Sequence, residues 1–316
     1  MPSDTSITDI ARPTTNLQPL FAAFTGAGAI SFAAIFFRLS GVSPTTGAFY
    51  RMAYALPVVT LLWLRVRRLD QRPVSHRAMA MLAGGLLTAD VVLWHASIEM
   101  IGAGLATLIV NSQVVIVPVF TLILFGERLS RPVIAAMPVV MVGLALITGV
   151  GQPDSYGDRP LLGVVLAAAA AFMYSGFLIA YRRSNRTLAP PAGPLLDVAV
   201  GAAIVATIAG IATGSLDLAP SWPAHGWLIA LALGVQVIGW FAIGYALPRL
   251  PAVQTSFAIL LQPSLTLIWG AMILSERASL VQGAGAALVL TGILIVSLSG
   301  RWVRQVPASR NTSSKG

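Results

Sequence analysis

Asn111-Ser112-Gln113 and, downstream, Phe125-Gly126-Glu127-Arg128-Leu129-Ser130 have a second copy in the chain: Leu261-Gln262-Pro263, then Leu274-Ser275-Glu276-Arg277, closed by Ser279. A shift of 149 positions lays Gln113 on Gln262, Glu127-Arg128 on Glu276-Arg277 and Ser130 on Ser279. The same shift lays Gly85 on Gly234, Ala103 on Ala252 and Gly143 on Gly292. Further upstream the shift is 144, with Ser31 on Ser175, Arg38 on Arg182 and Ser40 on Ser184, a change that a difference in loop length explains. The chain is a duplication.

The composition says which solvent the copies face. Of 316 residues, 56% are hydrophobic and 10% charged. A soluble globular chain carries about 25% charged residues, so there are too few here to coat a water-facing surface. A spanning helix needs ~20 mostly apolar residues. Ten such stretches are present, at 19–38, 46–64, 79–98, 103–125, 132–150, 161–181, 195–213, 227–247, 252–274 and 280–299. The chain therefore reads as an all-α integral membrane protein of ten transmembrane helices, in two five-helix halves at 18–150 and 151–300, with disordered cytoplasmic tails at 1–17 and 301–316. Five is odd, so the second half enters the membrane from the opposite side. Inverted repeats around a midplane site are the architecture of many secondary transporters.

Lys and Arg set the orientation. With the N-terminus inside, sixteen basic residues fall in inner loops and tails, three in outer loops (Arg38, Arg159, Arg277), and Arg51 lies within a span. Both termini are expected in the cytoplasm, on a multi-pass protein of the cell membrane. The net charge of +9 comes from clusters such as Arg65 to Arg77 and Arg182 to Arg186, and reads as topology. No basic groove interleaved with aromatics is present, so no nucleic-acid partner is expected. The first 17 residues lack the charged-then-apolar order of a cleaved signal peptide.

Ser130 and Ser279 read as N-caps of helices five and ten. Pro132 sits in the first turn of helix five, and Gln282 stands at capping-box spacing from Ser279. Glu127 and Glu276 are expected to bind the adjacent Arg or helix termini. Helices five and ten carry small residues one turn apart, Ala145 with Gly149, and Gly283, Ala287 and Thr291. These suit close helix approach, within the monomer or across a homodimer face.

With these residues the chain resembles the EamA-domain family of the drug/metabolite transporter superfamily, over about residues 20–300. The resemblance implies a ten-helix basket with a central cavity lined by helices one, three, four, six, eight and nine. It also implies alternating access and a small substrate such as an amino acid, amine, vitamin or drug-like cation. Members include exporters and importers. The first half departs from the pattern: Val114 stands where Pro263 stands in the second, and Pro118 follows one turn later. This places the expected kink of helix four one turn further along.

Ionisable residues deep in a span are costly and mark function by default. Arg51, Asp90 and His95 qualify, and are the candidates for proton coupling. Asp90 and Trp94, four apart, share a helical face. A carboxylate beside an indole suits an amine or a cation; the structural alternative is an Asp90–Arg51 pair. Gln236 and Trp240 form a neutral counterpart in helix eight. Asn111, Gln113, Tyr174 and Gln262 complete the candidate substrate site. Asp197 reads as interfacial, and His76 and His225 as solvated loop residues. Pro57, Pro118 and Pro263 are expected to bend helices two, four and nine.

Other classes fare poorly. The chain has no Cys, no G-x-S-x-G, no Walker A motif and no paired His. No enzyme activity, cofactor or metal is expected. The expected partners are the bilayer and a small-molecule substrate. Export of the substrate is preferred to uptake, and a non-transporting receptor or assembly component is the remaining alternative.

Overall fold

The computed structural model describes residues 17–127, 129–148, 159–275 and 279–299. Ten helices are long and apolar enough to span a membrane. We label them α1 (Gln18–Ser40), α2 (Pro44–Leu69), α3 (Val74–Ile98), α4 (Leu105–Phe125), α5 (Arg131–Thr148), α6 (Pro160–Ser184), α7 (Ala192–Thr213), α8 (Trp222–Ala246), α9 (Ala252–Ile273) and α10 (Leu280–Leu298). The largest differences from the hydropathy reading are at the end of α2 and the starts of α3 and α8; α2 and α3 extend beyond the apolar stretches through Arg65 and His76. Helical hydrogen bonding does not stop where the apolar residues stop, and Arg is a good helix former. Backbone between α3 and α4 also stays helical. His76 thus lies in the first turn of α3, not in a loop.

The helix ends follow local chemistry. Ser43 opens α2, its Oγ accepting from the Thr46 N–H, with Pro44 in the first turn. The expected capping box at α10 forms: Ser279 N–H donates to Gln282 Oε1 at 2.9 Å, and Gln282 N–H to Ser279 Oγ at 3.2 Å. Left-handed glycines, Gly41, Gly126 and Gly214, stop α1, α4 and α7. Ser275, which the 149-residue shift lays on Gly126, adopts the same hand at φ 54° despite its Cβ. Glu276, Arg277 and Arg128 lie outside the described residues, as do both tails and Gly149. Glu127 pairs with Arg182, in the last turn of α6, at 3.0 Å.

Close crossings join one half to the other. A methyl placed on Gly84 of α3 would stand 1.9 Å from the Val198 carbonyl oxygen of α7, and one on Gly201 of α7 equally close to that of Met81. Gly26 of α1 meets Gly239 of α8, and Gly143 of α5 meets Gly285 of α10 in the same way. Without a hydrophobic force between helices in lipid, such backbone approach supplies the packing. The α5–α10 crossing is therefore internal to the monomer, while Gly283, Ala287 and Thr291 are exposed on the outer face of α10.

Four spans are irregular. α1 breaks between Ile30 and Ala33, α4 at Ser112, and α9 at Leu260. α8 widens to π-helical turns over Leu231–Gly239. The shift of 149 maps Ser112 to Leu261, so the α4 and α9 breaks agree within one residue. Sequence places the kink of α4 one turn further along, at Pro118, whereas the helix breaks at Ser112. Pro118 lies inside the second segment, Gln113–Phe125.

One basic cluster does more than set topology. Arg72, between α2 and α3, is buried, and its guanidinium bonds Asp70 Oδ1 at 2.7 Å and Asp197 Oδ2 of α7 at 2.7 Å. Arg77 adds a 3.4 Å contact to Asp197. Asp197, expected at the interface, is buried because these two guanidiniums neutralise it. Burial alone pushes the Asp70 carboxyl up. The bonds and charge of Arg72, with the Trp63 indole N–H, outweigh that and hold it below its ordinary value.

A folded-state value below the unfolded one stabilises the protein above the unfolded value and ceases to do so as pH falls through the folded one. Thermal stability in detergent should therefore be flat near neutrality and drop once pH passes below the ordinary carboxylate range of about 4. The Asp70→Asn variant should lose that part of the drop. Asp197→Asn should destabilise by up to about 3–5 kcal/mol, since it leaves Arg72 a single buried partner. A neutral effect in the same melts would contradict the network's role.

Candidate functional site

Four spans converge on a polar centre. Arg51 of α2 donates from Nε to Gln236 Oε1 of α8 at 2.9 Å. Gln236 is fully buried and sits in the π-helical stretch, a distortion that often accompanies function. Tyr174 of α6 lies within electrostatic reach of both Arg51 and Asp90. Asp90 of α3 is buried, and its Oδ1 has no protein hydrogen-bond partner. No Asp90–Arg51 ion pair forms among the described residues. Arg51 is held by Gln236 instead.

Aromatic rings flank this centre. Trp240 of α8 is buried with its ring edge-on to Phe177 at 4.8 Å, and Phe177 stacks on Tyr181 at 5.7 Å and lies 5.8 Å from Tyr174. Trp94 follows Asp90 by one turn and packs near Ile98 and Ile101. His95 is edge-on to Trp94 at 4.8 Å and to Phe37 at 5.4 Å, with Nδ1 2.7 Å from the Val91 carbonyl oxygen of its own helix.

The remaining expected residues form a second group, where α4 meets α9. Gln113 donates from Nε2 to the Ser256 carbonyl at 3.4 Å. Asn111 Nδ2 is turned back on its own helix, to the Thr107 carbonyl at 2.9 Å. Gln262 is half-buried just past the α9 break. The structure thus brings together Asp90, Arg51, Tyr174, Gln236 and the Trp240 aromatic row, and sets Asn111, Gln113 and Gln262 at the adjoining seam.

Five of the expected residues carry a buried polar atom without a protein partner: Asp90 Oδ1, Trp94 Nε1, Gln113 Oε1, Gln236 Nε2 and Trp240 Nε1. An unmet buried polar group costs about 1–3 kcal/mol. Several of them in one bundle mark a place where a guest or water supplies the partner. Thr255 and Ser264 of α9 belong to the same class and were not anticipated. A Ser or Thr in an apolar run usually bonds its own helix, so it gives no signal in sequence. Tyr54 and His225 were also missed. His225 lies in the first turn of α8, not in a loop, with Nδ1 2.5 Å from the Tyr54 hydroxyl. Among the described residues, no three His, Asp or Glu side chains gather as metal ligands.

The profile of the EamA-like transporter family matches residues 15–149 and 161–298. The chain belongs to this family. The EamA-like transporter is 23% identical, over 84% of its length and 93% of the relative's, to an uncharacterized transporter of Archaeoglobus fulgidus. It is 26% identical, over 65% of its length and 70% of the relative's, to a protein of Escherichia coli described as a probable amino-acid metabolite efflux pump. A crystal structure of a protein that is 19% identical shares its fold, with a TM-score of 0.74 over 90% of this chain and 97% of that one. It is a multi-pass protein of the cell membrane, a transporter and not an enzyme, and it moves a small molecule across the bilayer.

The Arg51–Gln236 bond is one of a charged donor, worth about 1.5–3 kcal/mol. Gln236→Leu should lower stability by that amount in detergent melts. Gln236→Glu, which keeps the acceptor, should not. Wild-type stability in Gln236→Leu would mean that Arg51 is held by something else.

Proposed function

We propose that this transporter exports a small metabolite that carries an amine, with amino acids and their derivatives as the best-fitting class. The observation that carries this reading is the buried Asp90 carboxylate, whose Oδ1 has no protein partner. A carboxylate in that setting is stabilised by a cation, either the ammonium of a substrate or a proton. Arg51 adds the complementary charge across the same centre. Its bond to Gln236 uses Nε and none of the terminal nitrogens, which suit a substrate carboxylate. A zwitterion would then lie with its ammonium toward Asp90 and its carboxylate toward Arg51. Trp94 and Trp240 would close the apolar sides and attract the ammonium through their ring faces. Asp90 is also the residue on which exchange of substrate for a proton would turn, and His95 is a weaker candidate for that step. The named function of the Escherichia coli relative supports both the substrate class and the direction.

The test is a growth screen of a bacterial host overexpressing the protein, on toxic amino-acid analogues, amines and cationic drugs, with Asp90→Asn and Arg51→Gln alongside. Expected is resistance to amino-acid analogues, lost at least tenfold in Asp90→Asn, because neutralising one pole removes a charge-assisted contact of about 1.5–3 kcal/mol. Arg51→Gln should spare simple amines and lose amino acids. Hypersensitivity in place of resistance would reverse the direction to uptake. Resistance unchanged in Asp90→Asn would remove the carboxylate from the mechanism.

A further inference from the structure

We infer that a pocket between the end of α4 and the Arg-rich end of α6 binds the phosphate headgroup of an anionic phospholipid. The cavity, of about 150 Å³, is lined by Arg182, Arg183 and Arg186, with Glu127, Phe125 and Pro248. Three guanidiniums thus face one carboxylate. Glu127 is already engaged by Arg182 at 3.0 Å, so the charges of Arg183 and Arg186 are left over. Arg183 is half-buried and Arg186 exposed, yet they are held near each other. Both lie over the ring of Phe125, with Cζ 5.4 Å and 5.9 Å from its centroid. Two cations gathered on one ring repel each other, and an anion between them relieves that repulsion. The planar fork of a guanidinium matches a phosphate.

The place selects a lipid as the source of that phosphate. Phe125 and Ser184 end their spans, so the pocket stands at headgroup depth. Immediately before Phe125, Leu122, Ile123 and Leu124 are exposed on α4, Ile123 by 72%. They offer acyl chains an apolar wall running down from the pocket. Basic pockets between transmembrane helices take anionic headgroups in this manner. The alternative that every inner Arg cluster draws anionic lipid equally is distinguishable, because Arg65 and Arg68 form a second, exposed cluster at the end of α2.

The experiment is native mass spectrometry of the full chain, purified in detergent and titrated with phosphatidylglycerol or phosphatidylcholine. Expected is preferential retention of phosphatidylglycerol, reduced about tenfold or more in Arg183→Ala/Arg186→Ala and unchanged in Arg65→Ala/Arg68→Ala, given about 1 kcal/mol for each basic residue near the surface. Should the double variant fail to fold, Arg186→Ala alone, at an exposed position, should lose about fivefold on the same basis. Equal losses from both clusters, or none from the pocket variants, would overturn the site. A parallel titration with inorganic phosphate separates the two sources. Binding of phosphate with the same dependence on Arg183 and Arg186, and no advantage of the lipid over it, would make this a soluble-anion site and overturn the lipid assignment.

Discussion

Lipid offers nothing to a backbone N–H or carbonyl that leaves the helical ladder, and each one left alone costs several kcal/mol. The places where these helices break are therefore places where the rest of the molecule supplies partners. Ser31, in the break of α1, shows how. Its carbonyl accepts from Thr266 Oγ1 at 2.8 Å, and its hydroxyl accepts from the Trp269 indole N–H at 2.8 Å while donating to the Gly28 carbonyl at 2.6 Å. The break in α1 is thus secured by α9, which is itself broken at Leu260. Ser112 in α4 and the wide turns of α8 complete the set, and the polar groups described above lie on or beside these irregular segments. An interrupted ladder adds backbone groups to a polar site inside a bilayer, whereas the unbroken helices that carry Arg51, Asp90 and Tyr174 contribute side chains alone.

Reading the residues in order recovers the ten spans, the duplication and the capping box, because each rests on neighbours in sequence or on a fixed offset. It recovers the centre in part, for the same reason that Asp90 and Arg51 stand out: a charge in an apolar run needs no partner to be noticed. What it cannot supply is the partner. Arg51 is bonded to a glutamine 185 positions away, and Arg72 to an aspartate 125 positions away. From sequence, Arg72 is one of several arginines in a connector, and only the fold separates it from exposed Arg68. Asp197 shows the complementary limit. Its place near the start of α7 suggests an interface, and only the fold shows that the connector carrying Arg72 closes over it. The hydroxyls of Thr255 and Ser264 leave no trace in hydropathy at all.

The duplication explains the frame of the site better than its chemistry. Shifted by 149, Asp90 falls on Gly239 and Gln236 falls on Leu87. The copies have been put to different uses at these positions. Where the first half carries a carboxylate, the second has a glycine that lets α8 approach α1 at Gly26. A strictly symmetric pair of buried carboxylates would have left two like charges in one apolar centre, at a cost neither could relieve. Asp90 instead stands near Tyr174, a neutral hydroxyl that also lies within electrostatic reach of Arg51.

Two apolar cores meet around this centre. One gathers side chains of α1, α2, α3, α6, α7 and α8, and the other those of α5 and α10. α4 and α9 give buried side chains to both: Val117 to the first and Val114 to the second, Ile259 to the first and Phe257 to the second. The first core is tied at both ends. Arg72 joins the α2–α3 connector to α7, and at the opposite end Ser43, Thr45 and Thr46 all donate to the Ser215 carbonyl. The second is locked through Gly143 and Gly285. Packed cores resist continuous deformation, so one body moves against another at discrete seams. α4 and α9 therefore form the seam between the two cores. These are the helices that break at matching positions, and Gln113 of α4 reaches the Ser256 carbonyl of α9 between them. Each helix reaches both cores from a single segment, Gln113–Phe125 of α4 and Ala252–Ile259 of α9, so the seam lies beside the breaks and not across them.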